Sequence, residues 1–368
     1  MTSALAKAVA VALTGLVLAG CGTANPTPTA ELTPLGPATC PTGEVVGAGS
    51  PVVHNALDEL GQAYRERCAE SSSAFYRPIG VEAALTSFAA AETDWTSSDV
   101  PIEGAAAATA AARCVRGELW NIPLLGHRVV ISFNLPGVDE LTLSADVLAR
   151  ILDGRISQWN DPAIAAVNPG RTLPDLPIKV LGRADSDGTT RTLSTFLAAN
   201  SDWPADKVGA EWTGTGEKLD RTADLLTGIR STPGAITYAD ASVLSANALP
   251  SAAIDAGAGP VEPTTESASA ALQRAELTGE KGDIRLTPTY TDNPAGAYPV
   301  VGVDYQIVCT QGAYTTQNRR KAAILKDFLG FAASDPQQKS IGDLGYVPLP
   351  DEARSRVRQA IATLVVVP

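Results

Sequence analysis

Histidine is nearly missing from this chain of 368 residues, which carries only His54 and His127. Neither sits in a motif that would aim an imidazole at Ser97 or Ser98 beside Asp99, so no hydroxyl has a base and no catalytic residue is expected. A zinc site is not expected either, because the five cysteines include no close Cys-x-x-Cys pair. Basic residues are few as well: 28 Lys and Arg face 40 Asp and Glu, leaving a net charge of -12. That balance argues against nucleic acid or an anionic membrane face as partner. It leaves a small anion open, since local N–H groups and one arginine outweigh a distant, screened field. No internal repeat is evident. The pattern Asp185-x-Asp187-Gly188 lacks the third acidic position and closing glutamate of a calcium loop, and no cofactor is expected.

Long apolar runs are also missing. Residues 8–19, behind Lys7, are too short for an ordinary transmembrane helix and end in Leu18-Ala19-Gly20-Cys21. Small residues before a cysteine at this distance resemble the bacterial lipobox, which implies a signal peptide over 1–20, a lipid anchor on Cys21 and a place on the outer face of the cytoplasmic membrane. Residues 21–39, rich in Thr and Pro, read as an extended tether. With Cys21 lipidated, Cys40, Cys68, Cys114 and Cys309 remain, an even number that suggests two disulfides in an exported protein. Of the three pairings, Cys68 with Cys114 and Cys40 with Cys309 is preferred.

What is present is an α/β pattern. Val45 to Ser50, Phe75 to Gly80 and Trp95 to Asp99 are apolar strands running into small-residue turns and then helices, the signature of a mostly parallel sheet whose carboxyl edge collects the loops. After Pro123 the chain crosses into a second lobe and returns near Tyr298, so residues 40–124 with 298–368 form lobe I and residues 125–297 lobe II. Two crossings make a hinge. Residues 253–263 look like a surface loop, and Trp95 and Trp159 like core.

One junction stands apart. Arg183-Ala184-Asp185-Ser186-Asp187-Gly188-Thr189-Thr190-Arg191 lies between an apolar strand and a helix, where free N–H groups and the helix dipole favour an anion. Asp187 is itself an anion at the cap position, and an Asp N-cap satisfies the same N–H groups. Asp185 is expected to brace Arg183.

Several stretches together carry a resemblance: Ile122-Pro123 through Asn134-Leu135-Pro136-Gly137-Val138, Ile151 to Ile164, Asn168-Pro169-Gly170, Leu173-Pro174, Arg183 to Thr190 and Pro233-Gly234-Ala235-Ile236. In this order they resemble the PstS-type phosphate-binding proteins of ABC transporters, over nearly the whole mature chain. The resemblance implies a two-lobe type II periplasmic-binding-protein fold with a two-strand hinge, a monomer that closes on inorganic phosphate and delivers it to an ABC permease. The family's proton-accepting carboxylate matches Asp99, its arginine Arg183, and its helix-terminal donors Gly188 and Thr189. Ser50 stands near a donor position that runs here into Pro51, which has no N–H. Val81 follows Gly80 where the family has a serine, and Asp187 replaces another serine. The phosphate-binding set implied is Ser50, Asp99, Arg183, Asp187, Gly188 and Thr189. The alternative is a PstS-like fold that has lost tight phosphate binding and serves as adaptor, sensor or binder of another ligand, with Asp187 pairing Arg183 in place of the anion.

Overall fold

The structure, a computed structural model, describes residues 39–115, 117–311 and 319–365, with the backbone alone for 245 and 246. Cys21 and nearly all of the tether lie outside the described residues. Three strand-to-helix units open the fold: β1 (Gly43–Ala48) to α1 (His54–Arg67), β2 (Ser72–Arg77) to α2 (Val81–Ala89), and β3 (Trp95–Ser98) to α3 (Gly104–Ala111). In α1, Ala56, Leu57, Leu60, Gly61 and Tyr64 are buried at helical spacing, so one stripe faces the sheet. Gly61 permits that approach, because a Cβ there would stand 2.5 Å from the Ala74 carbonyl oxygen.

β4 (Leu119–Phe133) is a single strand of 15 residues, buried at every position after the first. Beyond it come β5 (Thr142–Ser144), α4 (Ala145–Leu152), α5 (Pro162–Ala166), β6 (Lys179–Arg183), α6 (Gly188–Asn200), β7 (Glu217–Leu219), α7 (Thr222–Ser231), β8 (Ala235–Asp240) and α8 (Ala241–Ala246). Next are β9 (Ala253–Asp255), β10 (Pro260–Val261), α9 (Thr265–Leu272) and a hairpin of β11 (Glu276–Glu280) with β12 (Asp283–Thr287). The chain returns through β13 (Val301–Cys309) and closes with α10 (Arg319–Ala332), α11 (Asp335–Asp343) and α12 (Asp351–Thr363).

Eight strands form one sheet in the order β2-β1-β3-β13-β4-β8-β6-β7. β1, β2 and β3 are mutually parallel, as are β6, β7 and β8, whereas β13 and β4 are antiparallel to their neighbours. Residues 119–128 of β4 pair with β13 and residues 129–133 pair with β8, so one strand runs through both halves of the sheet. The pairing sense has a consequence. β1–β3 run in the direction of β4 and β6–β8 run against it, so the carboxyl edges of the two halves point at each other across the middle of β4. Loops that leave those edges must meet there.

Two expectations are corrected. The disulfides are Cys40–Cys68 and Cys114–Cys309, each with Cα atoms 5.3 Å apart, and not Cys68–Cys114 with Cys40–Cys309. Strand register explains both: Gly43 of β1 lies opposite Ser72 of β2, which brings Cys40 beside Cys68, and Cys309 lies opposite Leu119, a few residues past Cys114. Residues 253–263 are not a surface loop either, because β9 joins β10 and β5 in a three-stranded sheet with Ala253, Ile254 and Val261 buried. The turn at Gly257 and Ala258 is exposed, as are Pro260 and Glu262, and the turn lends the whole segment its loop-like composition. Trp95 and Trp159 are fully buried core residues. Among the described residues no helix is long and apolar enough to cross a membrane.

Candidate anion-binding cleft

Four βα junctions converge where the carboxyl edges face each other, around a cavity of about 630 Å3. Ser50 and Pro51 follow β1, Pro78 to Ala83 link β2 to α2, Asp99 and Val100 follow β3, and Asp185 to Gly188 link β6 to α6.

On the second-half edge, β6 ends at Arg183 and α6 begins at Gly188 with Asp187 as its N-cap, in extended backbone. Asp187 Oδ1 accepts the Thr189 N–H at 2.8 Å and also the Thr189 hydroxyl. Its Oδ2 lies 3.4 Å from Arg183 Nη2. Asp185 takes the guanidinium fork, with Nε at 2.9 Å and Nη2 at 2.7 Å, and Nη1 donates to the Thr222 hydroxyl at 3.2 Å. Burial works against the Arg183 charge, but Asp187 and Asp185 more than offset it and hold the guanidinium more firmly charged than usual. The side chain is only 7% exposed and sits beneath its two carboxylates.

The first-half edge is quieter. Ser50 is fully buried, its hydroxyl accepts the Val52 N–H at 3.3 Å, and its carbonyl accepts the Tyr76 hydroxyl at 2.8 Å. The Tyr76 hydroxyl also pairs with that of Ser97. Gly80, at φ 86°, turns the chain into α2, whose first residue is Val81. Asp99 is the one charge brought off β3, and its nearest cation is Arg191, with Nε 3.6 Å from Oδ2. It rests directly on the start of α6: a Cβ on Gly188 would meet Asp99 Cβ at 2.5 Å. Burial pushes the Asp99 carboxyl up, and the charge of Asp187 adds to this, while its backbone hydrogen bond and Arg191 pull it back.

Of the six residues proposed from the sequence, Ser50, Asp99, Asp187 and Gly188 line this cleft, Arg183 and Thr189 are buried behind Asp187, and the cleft is acidic. Glu82, Asp99, Asp185 and Asp187 line it against the single cation Arg191. Three groups escaped the sequence reading. Arg191 stands four residues after the N-cap, a spacing that places it on the same helix face as Asp187 and was available as a signal. Asp240, at the end of β8, is raised to about 6 by burial. Asp304 on β13 is fully buried and is pushed well above the carboxylate range, first by burial and then by Asp99. Nothing in the sequence marks either aspartate, because their burial arises from the pairing of distant strands. Among the described residues the only cluster spaced for a metal is Cys40, Cys68 and Asp327, whose two sulfurs are joined in a disulfide.

A sheet shared by two halves, with ligand loops on facing carboxyl edges and two strands passing between them, defines a two-lobe substrate-binding protein of the type II periplasmic class. A family model described as a PBP superfamily domain matches residues 36–336. The phosphate-binding protein PstS 3 of Mycobacterium leprae is 32% identical over 369 residues, covering 96% of each chain. PstS 2 of Mycobacterium tuberculosis is 31% identical over 328 residues, 86% of each chain. The chain belongs to the PstS family of phosphate-binding proteins. Among solved structures, a high-affinity periplasmic phosphate-binding protein bound with phosphate superposes at a TM-score of 0.67 with 20% identity, over 86% of this chain and 93% of that one. A phosphate-binding protein from Stenotrophomonas maltophilia superposes at 0.63 with 19% identity and the same coverage.

Proposed function

We propose that the protein is the substrate-binding component of an ABC transporter, a lipoprotein held through Cys21 on the outer face of the cytoplasmic membrane, and that its cleft takes inorganic phosphate. One observation carries this reading: Asp187 and Gly188 at the N-terminus of α6 and Asp99 from the opposite edge line a single cleft, with Arg183 buried against Asp187. Residues 40–124 with 298–368 and residues 125–297 act as two lobes that close on the ligand about β4 and β13, and the monomer hands it to a permease. Asp99 accepts a proton from phosphate and so rejects a fully ionised oxyanion.

Phosphate must then share the seat with Asp187. Two like charges about 4 Å apart repel by roughly 4 kcal/mol at an effective dielectric of about 20, and the partial pairing of Asp187 with Arg183 offsets some of that. A second reading follows from the bonds Asp187 makes. Its Oδ1 already takes both donors of Thr189, so the carboxylate replaces the ligand and the fold serves as a sensor or adaptor. Calorimetry of the mature chain with phosphate, beside Asp187→Ser, separates the two. Micromolar or tighter binding by wild type, improved at least about tenfold in the variant, is the expected result. A silent wild type with a binding variant establishes the second reading. Silence in both shows that Pro51 and Val81 have removed the donors that matter, and the phosphate reading is lost.

A further inference from the structure

Two carboxylates face one anion seat from opposite edges of the cleft. Asp99 lies against Gly188 at the first turn of α6, and Asp187 caps that turn with one oxygen while the other stands 3.4 Å from Arg183. The groups around Asp187 are Arg183 and Asp185 from its own loop, Arg191 along α6 and Asp99 from β3. Tyr238 and Asp240 of β8 feel its charge from behind, and Glu82 of α2 lines the same cleft. An ionised carboxylate is an acceptor only, and so is an unprotonated phosphate oxygen. Each carboxylate at the seat therefore requires one proton on the ligand. Monohydrogen phosphate carries one P–OH and serves one carboxylate. Dihydrogen phosphate carries two P–OH groups and one charge fewer.

We infer that Asp187 makes this cleft selective for dihydrogen phosphate over monohydrogen phosphate, a deepening that rests on the phosphate reading above. One P–OH donates to Asp99 and the other to Asp187 Oδ2, while the two remaining oxygens accept from Arg191 and the first turn of α6, which line the same cleft. Oδ1 of Asp187 keeps its cap on Thr189. Above the second ionisation of phosphate, the species in solution is monohydrogen phosphate, so binding must draw one proton from the buffer. The count is the same whether that proton rests on the phosphate oxygen or on Oδ2.

The test is calorimetry of the mature chain with inorganic phosphate from about pH 5.5 to about pH 8.5, in two buffers of different protonation enthalpy, for wild type, Asp187→Asn and Asp187→Ser. Asparagine keeps the cap and the shape while removing the charge. The expected result is a wild-type affinity for total phosphate that falls roughly tenfold per pH unit above the second ionisation, with one proton taken up per phosphate, against a nearly flat profile and no uptake in both variants. If wild type binds with the same slope and the same proton count as the variants, the selectivity is refuted and the phosphate reading stands. If wild type binds no phosphate even at about pH 5.5, both are refuted.

Discussion

The two edges of the cleft hold themselves in different ways. The first-half edge is closed by packing and hydroxyls: Ser50, Tyr76 and Ser97 satisfy one another, Pro51, Pro78, Ile79 and Val81 line the wall, and both disulfides lie in this half of the molecule. The second-half edge is held by charge, with Arg183 between Asp185 and Asp187 and with Asp240 behind them. Trp203, Trp212 and Tyr238 pack in its core. Covalent staples and hydroxyl pairs are indifferent to pH near neutrality, whereas buried carboxylates are not. Redox conditions should therefore act on the first half alone, whereas proton concentration acts on both, through Asp240 in the second and through Asp99 and Asp304 in the first.

The largest effect that sharpens this contrast comes from the disulfides. Cys114–Cys309 spans 195 residues and Cys40–Cys68 spans 28. Loop-closure entropy then assigns about 5 kcal/mol to the former and about 3.5 kcal/mol to the latter. Paired Cys→Ser variants, unfolded by urea, should rank in that order, and both should show an unchanged dependence on pH. Equal losses, or a pH profile altered by removing a staple, would break the separation between the halves.

Next in size is Asp240. Its carboxyl is raised to about 6, chiefly by burial, with Ser242 and Arg128 opposing the rise and Asp187 adding to it. The folded state binds this proton more tightly than the unfolded chain, so its contribution is fully present below the ordinary carboxylate value and is lost as pH rises through about 6. Asp240→Asn keeps an acceptor for the Ser242 N–H and removes the charge. Wild type should fall behind the variant by roughly 3 kcal/mol between about pH 4 and about pH 6, with a constant gap above. Melting temperatures across that range decide it; a gap that does not move with pH would mean that the carboxyl stays ionised throughout.

How much of this was legible in the sequence differs between the edges too. The βα junctions were readable because the strands run on into Gly49-Ser50-Pro51, Pro78-Ile79-Gly80, Asp99-Val100-Pro101 and Ser186-Asp187-Gly188, and Asp187 was readable as a cap because it sits one residue before the helical run. The disulfide pairing was not, since it depends on β1 lying beside β2 and on β13 lying beside β4, relations between distant segments that no local spacing encodes. The same holds for Asp240 and Asp304, whose burial exists only once β4 has paired with β8 on one side and β13 on the other. Residues 253–263 misled for the opposite reason: the glycines of a tight turn dominated the composition and hid the two short strands they connect.

The smallest effect tests what Asp187 does for its own edge. Serine is as good an N-cap as aspartate, so Asp187→Ser loses only the contact with Arg183, whose fork on Asp185 remains. Alanine loses the cap as well. The lost contact is buried, but Arg183 keeps Asp185 and the repulsion of Asp187 on Asp99 and Asp240 is relieved, so Asp187→Ser should lie within about 1 kcal/mol of wild type, and Asp187→Ala about 1 kcal/mol below Asp187→Ser. Thermal melts at neutral pH without phosphate measure the ordering. Identical stability in the two variants would show that the bonds to Thr189 contribute nothing to α6, leaving the fit to the anion seat as the only reason for a carboxylate at this position.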